Sequence, residues 1–113
     1  MDTEARADDL EERGFNYLKQ GQWSEARSCF ERMLSLPIAP LRRVKVLKNI
    51  MLSYEKDGMR EKAVAIGEEA FRLIETNRLS ETMEGARLRG YINGRIARLS
   101  GASKWLGTIP ILS

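Results

Sequence analysis

The fold is decided by residues 14–30, which read GFNYLKQGQWSEARSCF. Gly21 divides this stretch into two parts, and in each part the apolar side chains recur at helical spacing. Glycine readily adopts the left-handed backbone that ends a helix, so Gly21 predicts the turn of a helix hairpin. The two helices of this hairpin are expected over roughly residues 8–20 and 24–36.

The same arrangement returns 37 residues later in the chain. The pairs that match at this offset are Gly21 and Gly58, Tyr17 and Tyr54, and Ala26 and Ala63. A second hairpin is therefore expected from Pro40 to residue 76, because proline is well tolerated in the first turn of a helix. A fifth helix, capped by Ser80 and carrying Met83 on its apolar stripe, is expected to end at Gly101.

Small residues occur at corresponding places in these helices. They are Gly14, Ala26, Ala63, Gly67 and Gly94. A glycine inside a helix costs about 1 kcal/mol relative to alanine, which suggests that close packing of a neighbouring helix offsets this cost. We expect all five positions to be contact points between helices.

This pattern resembles the tetratricopeptide repeat, a helix hairpin of about 34 residues. The residues that carry the resemblance are Leu10, Gly14, Tyr17, Gly21, Trp23, Ala26, Phe30 and Pro37 in the first repeat, and Leu47, Ile50, Tyr54, Gly58 and Ala63 in the second. The resemblance implies an all-α, right-handed solenoid of about two and a half hairpins in a single domain, 1–113. The repeats would span roughly 7–40, 41–76 and 80–107, and residues 108–113 would form a capping tail.

In this family the first helix of each repeat lines a concave surface that binds peptides. The matching positions in this chain are Phe15, Lys45, Lys48, Asn49, Leu52, Tyr91, Arg95 and Arg98. Phe15, Leu52 and Tyr91 would form an apolar floor, although Tyr91 fits a core position equally well. The resemblance thus implies a protein-interaction module, such as an adaptor or a co-chaperone-like scaffold. Of the positions that grip chaperone tails in some members, only Asn49 agrees, and Glu11 would repel a carboxylate.

Charge is distributed unevenly along the chain. Residues 1–40 carry five Lys/Arg and eight Asp/Glu, whereas residues 41–113 carry fourteen and eight. Lys45 and Lys48 share one helix face, and Arg95 and Arg98 repeat that spacing, so an acidic–apolar protein segment is the expected partner. Glu55 interrupts the basic residues, which disfavours nucleic acid.

The last residues form a separate apolar segment. Its large apolar residues are Trp105, Leu106, Ile109, Ile111 and Leu112. They could fold back on the fifth helix, dock on another protein, or join two copies into an obligate assembly or homodimer. The chain could also be a piece of a longer repeat array. The long links between its repeats are similar to those of some bacterial regulators, which suggests a regulatory module as a further alternative.

The composition excludes several classes of function. The chain has no His and one Cys, which excludes Cys/His zinc sites, Ser-His-Asp catalysis and an intrachain disulfide framework. Paired carboxylates such as Glu68 and Glu69 are adjacent on a helix and diverge by about 100°, so they do not form an acid–base dyad. No enzyme activity, metal or cofactor is predicted. No apolar run reaches the roughly 18 residues of a membrane span, and the lone Cys29 favours a cytoplasmic location.

Overall fold

A computed structural model describes residues 2–101 of the chain. These residues form five α-helices: α1 (Thr3–Lys19), α2 (Trp23–Leu34), α3 (Pro40–Lys56), α4 (Arg60–Thr76) and α5 (Met83–Ser100). A short 3₁₀ helix, Leu79–Glu81, lies between α4 and α5. No strand occurs in residues 2–101, so the all-α, repeat-like fold predicted from the sequence is confirmed.

The helices pack in the order of the chain. α1 lies on α2 and α3 lies on α4, while α2 contacts α3 and α4 contacts α5. Gly21 and Gly58 adopt φ values of 74° and 76° at the two hairpin turns. This left-handed conformation is strained for residues with a Cβ atom, which explains why both turns use glycine.

The starts of the helices follow from local chemistry. Asp2 caps α1, because its Oδ1 atom accepts a hydrogen bond of 2.7 Å from the Ala5 amide. The prediction that Ser80 caps the fifth helix is wrong. Ser80 lies in the 3₁₀ helix, and Thr82 caps α5 by accepting a 3.0 Å bond from the Gly85 amide.

The core consists of two clusters that share α3. Val46 and Ile50 of α3 pack with the first hairpin, whereas Val44 and Met51 pack with α4 and α5. The helix therefore buries two sides, which joins the two hairpins and α5 into one stack. Met83, predicted on the buried stripe of the fifth helix, is instead 72% exposed because α5 begins at that residue.

Two glycines sit where helices approach most closely. A Cβ atom on Gly14 would lie 2.7 Å from the Phe30 ring, and one on Gly67 would lie 2.8 Å from the Met51 Sδ atom. Ala26 and Ala63 are fully buried. Gly94 differs from the prediction, because a Cβ atom there would meet no atom of residues 2–101 within 4 Å.

Candidate peptide-binding face

The first helices of the successive hairpins are joined side by side through their charged residues. Arg42 of α3 binds Asp8 of α1 at 2.7 Å, and Glu55 of α3 binds Arg95 of α5 at 3.0 Å. We call the surface formed by these neighbouring sides of α1, α3 and α5 the first-helix face. Seven of the eight residues predicted for peptide binding are exposed or half-buried on these helices: Phe15, Lys45, Lys48, Leu52, Tyr91, Arg95 and Arg98.

The α3–α5 side of this face centres on Tyr91, which is 40% exposed. The Lys48 ammonium and the Arg95 guanidinium lie 5.9 Å and 5.3 Å from the centre of its ring. The Arg95 Nε atom also donates a hydrogen bond of 3.2 Å to the Tyr91 hydroxyl. Cations above an aromatic face are attracted to its electron density, so the ring is held in place while part of it remains accessible.

Arg95 is fixed from two sides. The hydrogen bond to Tyr91 raises the pKa of Arg95, and the negative charge of Glu55 adds to this effect, while partial burial opposes it. Arg95 therefore stays charged. The second oxygen of Glu55, Oε1, is buried and has no hydrogen-bond partner among the described residues. The ion pair holds α5 against α3 at the edge of the face.

A depression of about 500 Å³ opens between α3 and α5. It is lined by Lys45, Lys48, Glu84, Arg87, Leu88 and Tyr91. Lys45 is bound by Glu84 at 2.7 Å, which compensates one of the three cations. Among residues 2–101, no carboxylate lies within ion-pair distance of Lys48. The depression is thus cationic, with one apolar and one aromatic side chain in its wall.

The opposite end of the face is acidic. Arg42 contacts Glu4, Asp8 and Glu11 at 3.4, 2.7 and 3.8 Å. The hydrogen bond to Asp8 raises the pKa of Arg42. Arg42 is absent from the residues predicted for this face, although its place one turn before Lys45 puts it on the same side of α3. Glu84 was not predicted for this face either. The sequence around Glu84 does not indicate its role, because its partner Lys45 lies on a different helix.

Phe15 belongs to the first repeat rather than to the Tyr91 cluster. Its ring is 39% exposed and meets Phe30 edge to face, with 5.6 Å between the ring centres. Leu52 is half-buried on α3, and Arg98 is exposed on α5. The three residues predicted to form the apolar floor, Phe15, Leu52 and Tyr91, therefore lie on three different helices, α1, α3 and α5.

Three features of the face differ from what the sequence suggests. Asn49 is only 5% exposed, because it turns toward the core side of α3, so it is not available as a surface contact. Leu88, which matches a groove-lining position of the family in the third repeat, is also buried. The four predicted cations do not form one uncompensated patch, since Lys45 and Arg95 are paired with Glu84 and Glu55 from the facing helices.

A comparison with protein families identifies the first hairpin. Residues 7–36, which cover most of α1 and all of α2, match the family model described as the tetratricopeptide repeat. The first hairpin is therefore similar to a tetratricopeptide repeat. Repeats of this family generally mediate protein–protein interactions and act as non-enzymatic scaffolds. No curated protein and no solved structure matches the chain.

The matched hairpin carries Phe15 on its first helix, α1. The apolar residues predicted as an interface, Trp105, Leu106, Ile109, Ile111 and Leu112, lie outside the described residues. None of the helices in residues 2–101 is long and apolar enough to cross a membrane. Within the same residues, no group of three or more Cys, Asp or Glu side chains is arranged to hold a metal ion.

Proposed function

We propose that this protein is an interaction module that binds a peptide segment or a partner protein across the first-helix face. The observation that carries the proposal is the accessible Tyr91 ring held between Lys48 and Arg95 at the edge of a cationic depression. An aromatic ring fixed in this way offers apolar contact area with little loss of side-chain entropy on binding. Because repeats of this family generally serve as scaffolds, we propose binding without catalysis.

The charges suggest how a bound segment would be oriented. Lys48 and Arg87 favour acidic residues near α5, whereas Glu4 and Asp8 favour basic or polar residues near α1. Apolar side chains would lie between these ends, against Leu52 and the exposed part of Phe15. The partner we propose is therefore an acidic–apolar segment of another protein.

Nucleic acid is the less favoured ligand for this face. Glu55 and Glu84 lie among the cations, and each neutralises one of them. A phosphate backbone would need an unbroken series of basic side chains, and it would release many counterions on binding. A peptide can bind with only one or two exposed ion pairs to the protein, each of which contributes about 1 kcal/mol or less to the binding free energy.

The test begins with peptides selected on the wild-type protein from a displayed library of random acidic–apolar sequences. Lys48→Glu and Tyr91→Ala should each weaken binding of a selected peptide about tenfold, measured by calorimetry or anisotropy. Arg60→Glu is the matched control, because it makes the same charge change at an exposed position of α4 outside the face. If the selected peptide bound wild type and Lys48→Glu with equal affinity, the binding site would lie on a different surface.

The same variants distinguish the two classes of ligand. Peptide affinity should fall only gently with salt, whereas duplex DNA would show a log–log slope of about −0.9 per neutralised phosphate. Nucleic acid would become the favoured ligand if the selection yielded no binding peptide and if the protein bound DNA tightly in a way that Lys48→Glu abolished.

A further inference from the structure

The depression between α3 and α5 is lined by charged side chains from both helices. Lys45 and Lys48 lie on α3, whereas Glu84 and Arg87 lie on α5. Among residues 2–101, the lining therefore carries three cations and one carboxylate, which leaves two net positive charges around a space of about 500 Å³. This excess determines the charge of a ligand that would neutralise the depression.

The three cations are available to a ligand. Among the described residues, no carboxylate lies within ion-pair distance of Lys48 or Arg87. Arg87 donates a hydrogen bond of 3.5 Å to a methionine sulfur one turn earlier, which is a weak acceptor. Lys45 is paired with Glu84, but their side chains are 40% and 53% exposed, so the pair contributes about 1 kcal/mol or less. A stronger anion can therefore replace the present contacts at small cost.

We propose that this depression binds a phosphorylated side chain of the partner, an inference that rests on the proposed function and specifies the chemistry of the bound segment. A phosphomonoester carries a charge of about −1.5 to −2 at pH 7 and presents three strong acceptor oxygens at one point. It thus matches the net charge of the depression. A carboxylate supplies one negative charge, so two separate acidic side chains would have to meet in the same space.

The side chains around the depression suit a phosphate group. The planar guanidinium of Arg87 can donate two parallel hydrogen bonds to phosphate oxygens, while Lys45 and Lys48 act as point charges on the facing helix. Leu88 and Tyr91 provide apolar surface for the carbon atoms that carry the phosphate. The phosphodiester of a nucleic acid has one charge per phosphate, which matches this site less well.

Glu84 would compete with the phosphate for Lys45. Its carboxylate lies 2.7 Å from the Lys45 ammonium in the unbound protein. Glu84 also lies in the first turn of α5, where the helix dipole stabilises a carboxylate even after its cation is withdrawn. Glu84 is therefore expected to lower the affinity of the depression for a phosphorylated segment without preventing its binding.

Three peptide libraries test this inference on the full chain. They share random acidic–apolar flanks, and their fixed central residue is phosphoserine, glutamate or serine. We expect wild type to retain about tenfold more of the phosphoserine library than of the glutamate library at pH 7.5. Lys45→Gln and Arg87→Gln should each remove most of this preference. Arg60→Gln makes the same charge change as Arg87→Gln at an exposed position of α4 and should keep the preference.

The pH dependence distinguishes a phosphate from a carboxylate. Phosphoserine has a second pKa of about 6, so the preference should largely disappear at pH ~5.5, where a glutamate of the peptide, with an ordinary pKa of about 4.3, stays mostly ionised. The chain has no His, the residue type that ordinarily titrates in this range. The charged groups that face the ligand are those of Lys45, Lys48, Glu84 and Arg87.

A variant with improved binding guards against losses caused by misfolding. Glu84→Gln removes the competing charge and should raise retention of the phosphoserine library about threefold, whereas Glu61→Gln, at an exposed position of α4, should not change it. A gain of this kind cannot arise from loss of the fold. No gain in Glu84→Gln, together with an unchanged preference in Lys45→Gln and Arg87→Gln, would place the phosphate on a different surface and overturn the inference.

The remaining outcomes separate this inference from the proposed function. Equal retention of the phosphoserine and glutamate libraries, both above the serine library, would overturn the phosphate site and leave peptide binding intact. Retention of none of the three libraries would also overturn it, and the displayed-library selection would then decide the proposed function independently. Stronger retention of a DNA oligonucleotide than of the phosphoserine library would assign the cations to nucleic acid and overturn both.

Discussion

The guanidinium of Arg27 lies 4.4 Å from the centre of the Tyr54 ring, so a residue of the first hairpin stacks on a residue of the second. The same guanidinium donates a 2.9 Å hydrogen bond to Asp57, whose side chain is 37% exposed, while that of Arg27 is only 11% exposed. A planar cation can pack along an aromatic face and still reach a carboxylate, which a lysine ammonium does poorly. Arg27 therefore links the first hairpin to the second through its contact with the Tyr54 ring and through its ion pair with Asp57.

This arrangement predicts an order of effects on stability. Arg27→Ala should lower the free energy of unfolding by about 2 kcal/mol, because it removes the buried stem, the stacking on Tyr54 and the ion pair together. Asp57→Ala should cost about 1 kcal/mol or less, since its side chain is 37% exposed and the stacking of Arg27 on Tyr54 remains. Urea unfolding of both variants measures the difference. Equal losses would mean that the ion pair, and not the stacking, carries the link.

Gly14 is predicted to tolerate no side chain. Gly14→Ala would place a Cβ atom 2.7 Å from the fully buried Phe30 ring, and we expect it to cost about 2 kcal/mol despite the higher helix propensity of alanine. Gly90→Ala is the matched control, because a Cβ atom there meets no described atom within 4 Å. It should raise stability by about 1 kcal/mol in the same thermal unfolding assay. A stabilising Gly14→Ala would show that the hairpin is packed less closely than its geometry indicates.

The helix hairpins could be predicted from the sequence because their signals are local. Gly21 and Gly58 impose the turns through their own backbone conformation, and the apolar spacing within each helix determines which side is buried. The prediction failed at Ser80 because a 3₁₀ helix, Leu79–Glu81, contains that residue, so α5 begins later and Thr82 caps it.

The candidate site could be predicted only in part. The resemblance placed Tyr91 and Lys48 on one surface, but the pairing of Arg95 with Glu55 depends on how two separate helices stack. Arg27 lies in a polar stretch of α2 and gives no sign in the sequence that it is buried. Contacts between repeats are set by tertiary packing, and the spacing within one helix carries no information about them.

Arg42 makes the link between α1 and α3 persistent at alkaline pH. Its hydrogen bond to Asp8 raises its pKa, and a cation with a raised pKa stabilises the fold fully below the ordinary pKa of that group. The contribution disappears only as the pH rises through the still higher pKa of the folded state. Arg42→Gln should therefore be less stable than wild type by the same small amount at pH 7 and at pH ~10.5.

A lysine at this position should behave differently. Arg42→Lys should lie close to wild type at pH 7 and approach Arg42→Gln near pH 10.5, because lysine loses its charge with an ordinary pKa of about 10.4. Thermal unfolding at low salt, at both pH values, measures the three proteins side by side. If Arg42→Lys followed wild type at both pH values, the link would depend on the packing of the side chain and not on its charge.

Glu55 is predicted to restrain the affinity of the first-helix face for acidic segments. Its carboxylate lies 3.0 Å from Arg95, so a bound acidic residue must compete with Glu55 for that guanidinium. Glu55→Gln keeps the shape of the side chain and removes the competing charge. We expect affinity for a selected acidic–apolar peptide to rise about fivefold, which corresponds to the exchange of about one partly exposed charge pair.

The reverse change and a control complete the comparison. Arg95→Gln should lower the same affinity, and the double variant should show no gain from Glu55→Gln, because the gain acts through Arg95. Glu61→Gln makes the same substitution at an exposed position of α4 and should leave binding unchanged. A loss of affinity in Glu55→Gln would indicate that Glu55 holds Arg95 in the binding geometry instead of competing for it. Calorimetry of wild type, the two single variants and the double variant at one salt concentration distinguishes the two roles.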